Sequence, residues 1–141
     1  MWANYDYSKF PIVKVTFNEK IDGEEDFNDF LKKWVLLYDN KKDFTFIFDS
    51  SNISKFNISY AFKMRKFIKK IKEFPHQYLK KSLIIVSNKY VKYLLSIVFS
   101  VQKPIATVYI YNKKPDEQLN FNNLIKNIDE NINDDFKIIR P

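Results

Sequence analysis

Two hydrophobic rhythms alternate along the chain. Pro11 to Phe17 (PIVKVTF) places apolar side chains at every second position and is rich in β-branched residues, which predicts a strand. Asp22 to Tyr38 changes to a helical period. Phe27, Phe30, Leu31, Trp34, Val35 and Tyr38 recur on one side, and Glu24, Glu25 and Asp26 fill the first turn, where the positive end of a helix dipole favours acids. Asp43 to Asp49 (DFTFIFD) is a nearly continuous apolar run between polar residues, the pattern of a strand buried in the middle of a parallel sheet.

The alternation then repeats. A polar turn over Ser50 to Asn57 precedes a predicted helix over Ile58 to Phe74, with Tyr60, Ala61, Met64, Phe67, Ile68 and Ile71 along one side and Phe74-Pro75-His76 as its stop. Ser82 to Ser87 predicts a short strand, Lys89 to Val101 a helix, Ile105 to Tyr111 a strand, Asp116 to Ile132 a final helix and Phe136 to Ile139 a short edge strand. Met1 to Phe10 is an aromatic leader; its Trp2, Tyr5 and Tyr7 are expected either to pack as a leader strand or to form an exposed contact patch. Strands and helices at this spacing predict an α/β fold. The expectation is one domain over residues 1 to 141, with a mainly parallel central sheet of four to five strands covered by about four helices.

Composition narrows the chemistry. The 141 residues include no cysteine, one histidine and one glycine, which excludes disulfides, thiolate or His-rich metal sites, and the glycine-rich loops that cradle phosphates. His76 has no serine, cysteine or acidic partner in a recognisable pattern, and the acidic groups of Asp22 to Asp29 and Asp129 to Asp135 lack the spacing of a calcium loop. No catalytic residue, metal or cofactor is therefore expected, and the chain reads as non-enzymatic. The leader has no charged start followed by an apolar run, and Val91 to Val101, the longest apolar stretch, carries Lys92 and is too short to span a bilayer. A cytoplasmic protein is expected, at most peripheral at a membrane surface.

Phe44-Thr45-Phe46-Ile47-Phe48-Asp49-Ser50-Ser51-Asn52-Ile53, followed by a long helix, resembles the strand and turn of STAS domains, the sulfate-transporter and anti-sigma-factor-antagonist modules. The run from Phe74-Pro75-His76 to Val86, with Lys103-Pro104 and a later strand, is similar to the related lipid-binding CRAL-TRIO domains. The resemblance covers roughly Pro11 to Ile132 and implies a binding or scaffolding module with a STAS-like fold, or alternatively a minimal CRAL-TRIO-like domain for a lipid or phosphoinositide. Where phosphoregulated STAS domains carry Asp-Ser-Ser-Gly, this chain has Asn57-Ile58-Ser59-Tyr60, with Ile58 at the place of the modified serine.

Charge adds a candidate surface. Tyr60 to Lys92 holds ten basic residues against Glu73 alone, a local net of +9 in a chain whose total is +7. On a helix, Lys63, Lys66 and Lys70 share a stripe flanked by Arg65, Lys69 and Lys72, a face suited to an acidic protein partner or an anionic lipid headgroup. Nucleic acid is the weaker candidate, because Arg65 and Arg140 are the only arginines. The competing explanation is a solvated exterior in a chain enriched in Lys, Ile, Asn, Phe and Tyr, the residues an A/T-rich genome favours. Ser50, Ser51 and Asn52 follow the carboxyl end of a strand, where open parallel sheets hold ligands, and Ser59 lies near the next helix's N-terminus. A turn of this composition is also the ordinary link from strand to helix.

Overall fold

A computed structural model describes all 141 residues. Its sheet has six strands whose spatial order follows the sequence: β1 (Ala3–Asp6), β2 (Ile12–Phe17), β3 (Phe44–Asp49), β4 (Leu79–Val86), β5 (Thr107–Asn112) and β6 (Phe136–Ile139). The four central strands β2 to β5 are parallel, and β1 and β6 pair antiparallel at the two edges. The α/β expectation holds, with six strands rather than four to five and a mixed sheet. The leader supplies the extra strand. Ala3 pairs with Phe17 and Asp6 with Lys14, and Trp2 is buried in the core while Tyr7 remains exposed.

Four helices connect the strands: α1 (Glu24–Leu37), α2 (Ile58–Lys72), α3 (Lys89–Val101) and α4 (Phe121–Asp129). Each parallel step advances one strand in the same direction, so right-handed crossovers put α1, α2 and α3 on one face. Phe27, Phe30 and Trp34 of α1, Phe67 and Ile71 of α2 and Val91 of α3 accordingly share one core with Val13, Val15, Phe46, Phe48, Ile84 and Val108 of the sheet. The opposite face packs Ile47, Leu83 and Ile85 against Leu124, Ile125 and Ile128 of α4. β3 and β4 are therefore buried on both sides, which is why their sequences are nearly continuous runs of apolar residues.

Three boundaries differ from the sequence reading by three residues or more, for local reasons. β4 begins at Leu79, where Lys80 and Lys81 hide the strand pattern; Lys80 pairs with Asp43 (3.6 Å) and Lys81 with Asp129. A register shift after Phe44 lets Leu79 join the same core as Ile84. α4 is shorter than Asp116 to Ile132. The Asn120 side chain accepts the Asn123 N–H (3.1 Å), which starts the helix at Phe121, and Asn131, in the left-handed region (φ 60°), ends it.

Tyr38, in a short 3₁₀ turn after α1, ties the ends of α1 and α2 together. Its hydroxyl donates to Gln77 Oε1 (2.9 Å), and Gln77 Nε2 donates to the Ile71 carbonyl (2.7 Å). Burial pushes the Tyr38 phenol up to about 12 and raises Tyr5 as well. Both hold their protons more tightly when folded than in the unfolded chain, where tyrosine titrates near 10. Their contribution is intact below that value and is lost as pH rises through the raised folded value. The urea midpoint is expected to fall between pH about 10 and about 12, and less steeply in Tyr38→Phe. Trp2→Ala is expected to destabilise by about 3–5 kcal/mol in urea unfolding at neutral pH.

Candidate functional site

The basic stretch divides into spent and free charges once folded. Lys63 meets Glu24 of α1 (2.6 Å), and this hydrogen bond and positive charge hold the Glu24 carboxyl below its ordinary range. Arg65 faces α3. Its Nε donates to the Ile97 carbonyl (2.7 Å) and its Nη2 to the same carbonyl and to Ser100 Oγ (2.9 Å), so the guanidinium clamps the C-terminal half of α3. The clamp also braces Phe62, whose ring centroid lies 5.1 Å from Arg65 Cζ. Lys80 and Lys81 are in the ion pairs described above. Lys66, Lys69, Lys70 and Lys72 are exposed and have no acidic side chain within ion-pair distance.

The free lysines share their face with apolar groups. At 100° per residue, Ile58, Phe62, Lys66, Lys69 and Lys70 point away from the sheet, opposite the buried Ala61, Phe67, Ile68 and Ile71. Phe62 is 48% exposed and Ile58 43%. On α3, Tyr90 and Tyr93 are exposed too, Tyr93 to 57%. Both helices start at the carboxyl ends of parallel strands, so Ile58, Phe62, Tyr90 and Tyr93 lie toward one end of the helix pair. The lysines follow along α2 toward the other end.

The strand-end serines are occupied internally. Ser50 is buried and donates to the Ile85 carbonyl (2.5 Å), while Ser51 Oγ donates to Asp49 (2.6 Å). Ser87 Oγ donates to the Ser51 carbonyl (2.9 Å), and Asn88 joins the same cluster through the Ile53 carbonyl (2.8 Å) while capping α3 at Val91 N–H (2.8 Å). Asn52 is exposed. Ser59 is exposed on the first turn of α2, where its N–H is capped by Asn57 (2.9 Å). This loop thus fixes where α2 and α3 begin, and neither Ser50 nor Ser51 presents a free hydroxyl proton. No three His, Cys, Asp or Glu side chains gather into a metal-ligand set.

Beneath α2 lies a feature the sequence reading did not anticipate, a cavity of about 140 Å³ between the sheet and α1 to α3. Of its 24 lining residues 21 are hydrophobic and none is charged. It lies where small side chains meet: Ser50 after β3, Ser82 of β4, Ala61 of α2 and Ala106 before β5. The available signal was the occurrence of Ala and Ser at positions whose neighbours are large and apolar.

No protein-family model, curated protein or solved structure matches the chain. No helix is long and apolar enough to cross a membrane. Geometry alone separates structural from available charges on α2. Arg65→Gln removes the α3 clamp and is expected to destabilise by about 1–2 kcal/mol in urea unfolding. Lys66→Gln one residue on is expected to stay within about 0.5 kcal/mol of the parent.

Proposed function

We propose that the chain is a non-catalytic, STAS-like binding module that docks on an anionic membrane surface through the outward face of α2 and the start of α3. The observation that carries this reading is the juxtaposition of unpaired Lys66, Lys69 and Lys70 with exposed Phe62, which Arg65 holds in place. Lysines near an anionic surface contribute about 1 kcal/mol each, so three amount to roughly a hundredfold in partitioning. Exposed Phe and Tyr beside them suit the headgroup boundary, where amphipathic helices bury apolar side chains and keep lysines in the polar layer. An acidic protein would satisfy the lysines, and the aromatic groups among them favour the lipid surface.

The STAS resemblance is supported by the parallel β2 to β5 centre and by the turn at Asp49-Ser50-Ser51-Asn52 leading to a long helix. The CRAL-TRIO alternative asks for a pocket that encloses a lipid. A cavity near 140 Å³ is below the roughly 300 Å³ at which ligand pockets for drug-sized molecules begin, so the surface is the better lipid contact.

Flotation with phosphatidylcholine vesicles, with and without phosphatidylserine, tests the reading. At low salt the parent is expected to float only with phosphatidylserine. Lys66→Gln/Lys69→Gln/Lys70→Gln is expected to lower partitioning by up to about a hundredfold with unchanged circular dichroism. Raising salt to physiological strength should reproduce part of the loss, because exposed charges are screened over about 8 Å. Phe62→Ser/Tyr93→Ser should weaken binding that salt does not restore. A parent that ignores phosphatidylserine vesicles at low salt overturns the proposal, and retention on polyglutamate in that case assigns the face to an acidic protein.

A further inference from the structure

The cavity under α2 is independent of the lysine face, since Ala61, Met64 and Ile68 line it from the side of α2 turned toward the sheet. Its walls come from every layer of this half of the molecule: Trp2 beside β1, Trp34 of α1, Ile84 of β4, Leu94 and Val98 of α3, and Val108 of β5. Water is a poor occupant. An ordered water needs two to four polar partners, whereas the Ser50 hydroxyl proton is already given to Ile85, Ser82 is the only other hydroxyl in the lining, and no lining group is charged. Apolar cavities of about 150 Å³ elsewhere stay dry and take up benzene or xenon, which matches this space in size and lining. Two indole donors remain, on Trp2 and Trp34. Trp2 is 3% exposed and Trp34 5%, and the indole N–H of each is buried without a hydrogen-bond partner. A buried donor left unpaired is costly, and an acceptor brought in by an occupant would relieve it.

We infer that this cavity binds a small, uncharged, largely apolar molecule of about single-ring size that carries one hydrogen-bond acceptor for an unpaired indole N–H, that of Trp2 or Trp34. A charged molecule is excluded, because nothing in the lining would compensate its desolvation. A phospholipid is excluded by volume. Phe56 and Met64, and on the α3 side Leu95, Phe99 and Ile105, line the cavity and are only half-buried. Rotation of their side chains gives a route of entry that leaves the sheet intact.

The chain's only two tryptophans, Trp2 and Trp34, both line the cavity, so their fluorescence reports directly on its contents. Iodobenzene, a heavy-atom quencher, is expected to quench that fluorescence saturably with one site per chain. Ala61→Leu and Ala106→Val fill the cavity from different walls, and each folded variant should bind iodobenzene at least tenfold more weakly. Competition by anisole and toluene, similar in shape, tests the acceptor. Anisole should displace iodobenzene several-fold more effectively, and Trp2→Phe or Trp34→Phe should abolish the difference. Quenching that rises linearly without saturation, or is equal in parent and folded variants, overturns the site; equal competition by the two rings overturns the role of the indole N–H groups. Should neither filled variant fold, the methyl resonances of the parent under xenon decide. Saturating shifts confined to Ala61, Leu94, Val98 and Ala106 support the site, and shifts spread over the surface overturn it.

Discussion

The row of rings on the central strand sets the geometry of everything above it. Phe44, Phe46 and Phe48 alternate along β3 and all face α1 to α3. Phe46 and Phe48 stand 4.4 Å apart, and Trp34 packs edge-on to Phe46 at 4.9 Å and to Phe67 at 5.1 Å. Aromatic pairs of this kind add about 0.5–1.5 kcal/mol each beyond the area they bury. Rings are also rigid, so they fix the height at which α1 and α2 ride over the sheet. On the neighbouring strand the facing positions are Ser82 and Ile84, and at the start of β5 they are Ala106 and Val108. Smaller side chains under a helix layer held at ring height leave space, and the cavity lies there.

Much of this arrangement was legible because periodicity reports burial. The helix over Lys89 to Val101 and the edge strand over Phe136 to Ile139 agree with the sequence pattern at both ends, since each combines a clear period with flanking breakers. Where polar residues work inside an element, the pattern misleads. Lys80 and Lys81 sit in a strand because neighbouring acids accept them, and Asn4 and Asp6 sit in β1 because an edge strand has one solvated side. Asn120 and Asn131 cut a long apolar period down to a nine-residue helix, since their side chains and backbone preferences serve helix ends better than helix interiors.

The candidate site was legible as composition and illegible as geometry. Lys63, Arg65, Lys66, Lys69 and Lys70 look equivalent along the sequence, but helix position sorts them. Lys63 lies toward α1 and finds Glu24, Arg65 lies toward α3 and finds Ile97 and Ser100, and the remaining three lie between, where no element supplies an acid. A bias toward A/T-rich codons accounts for many lysines without deciding which of them pair. The cavity was hidden for a different reason. It depends on contacts between residues as distant in sequence as Trp2 and Val108, and no local period encodes such a meeting.

Helix α2 thus carries the proposed membrane contact and the proposed cavity site on opposite faces. Its outward face combines charge with exposed rings, and its inward face contributes Ala61, Met64 and Ile68 to an uncharged space. Arg65 lies between the two, at the α3 seam, with its donors turned to the Ile97 carbonyl and Ser100 and its flat face near Phe62. That placement spends the one charge on α2 able to make forked hydrogen bonds on holding the helices together. The lysines, as hydrated point charges on flexible stems, suit the proposed contact with a surface that has no fixed geometry. A membrane surface has that character, and a partner recognised through bidentate contacts would have called for the arginine outside.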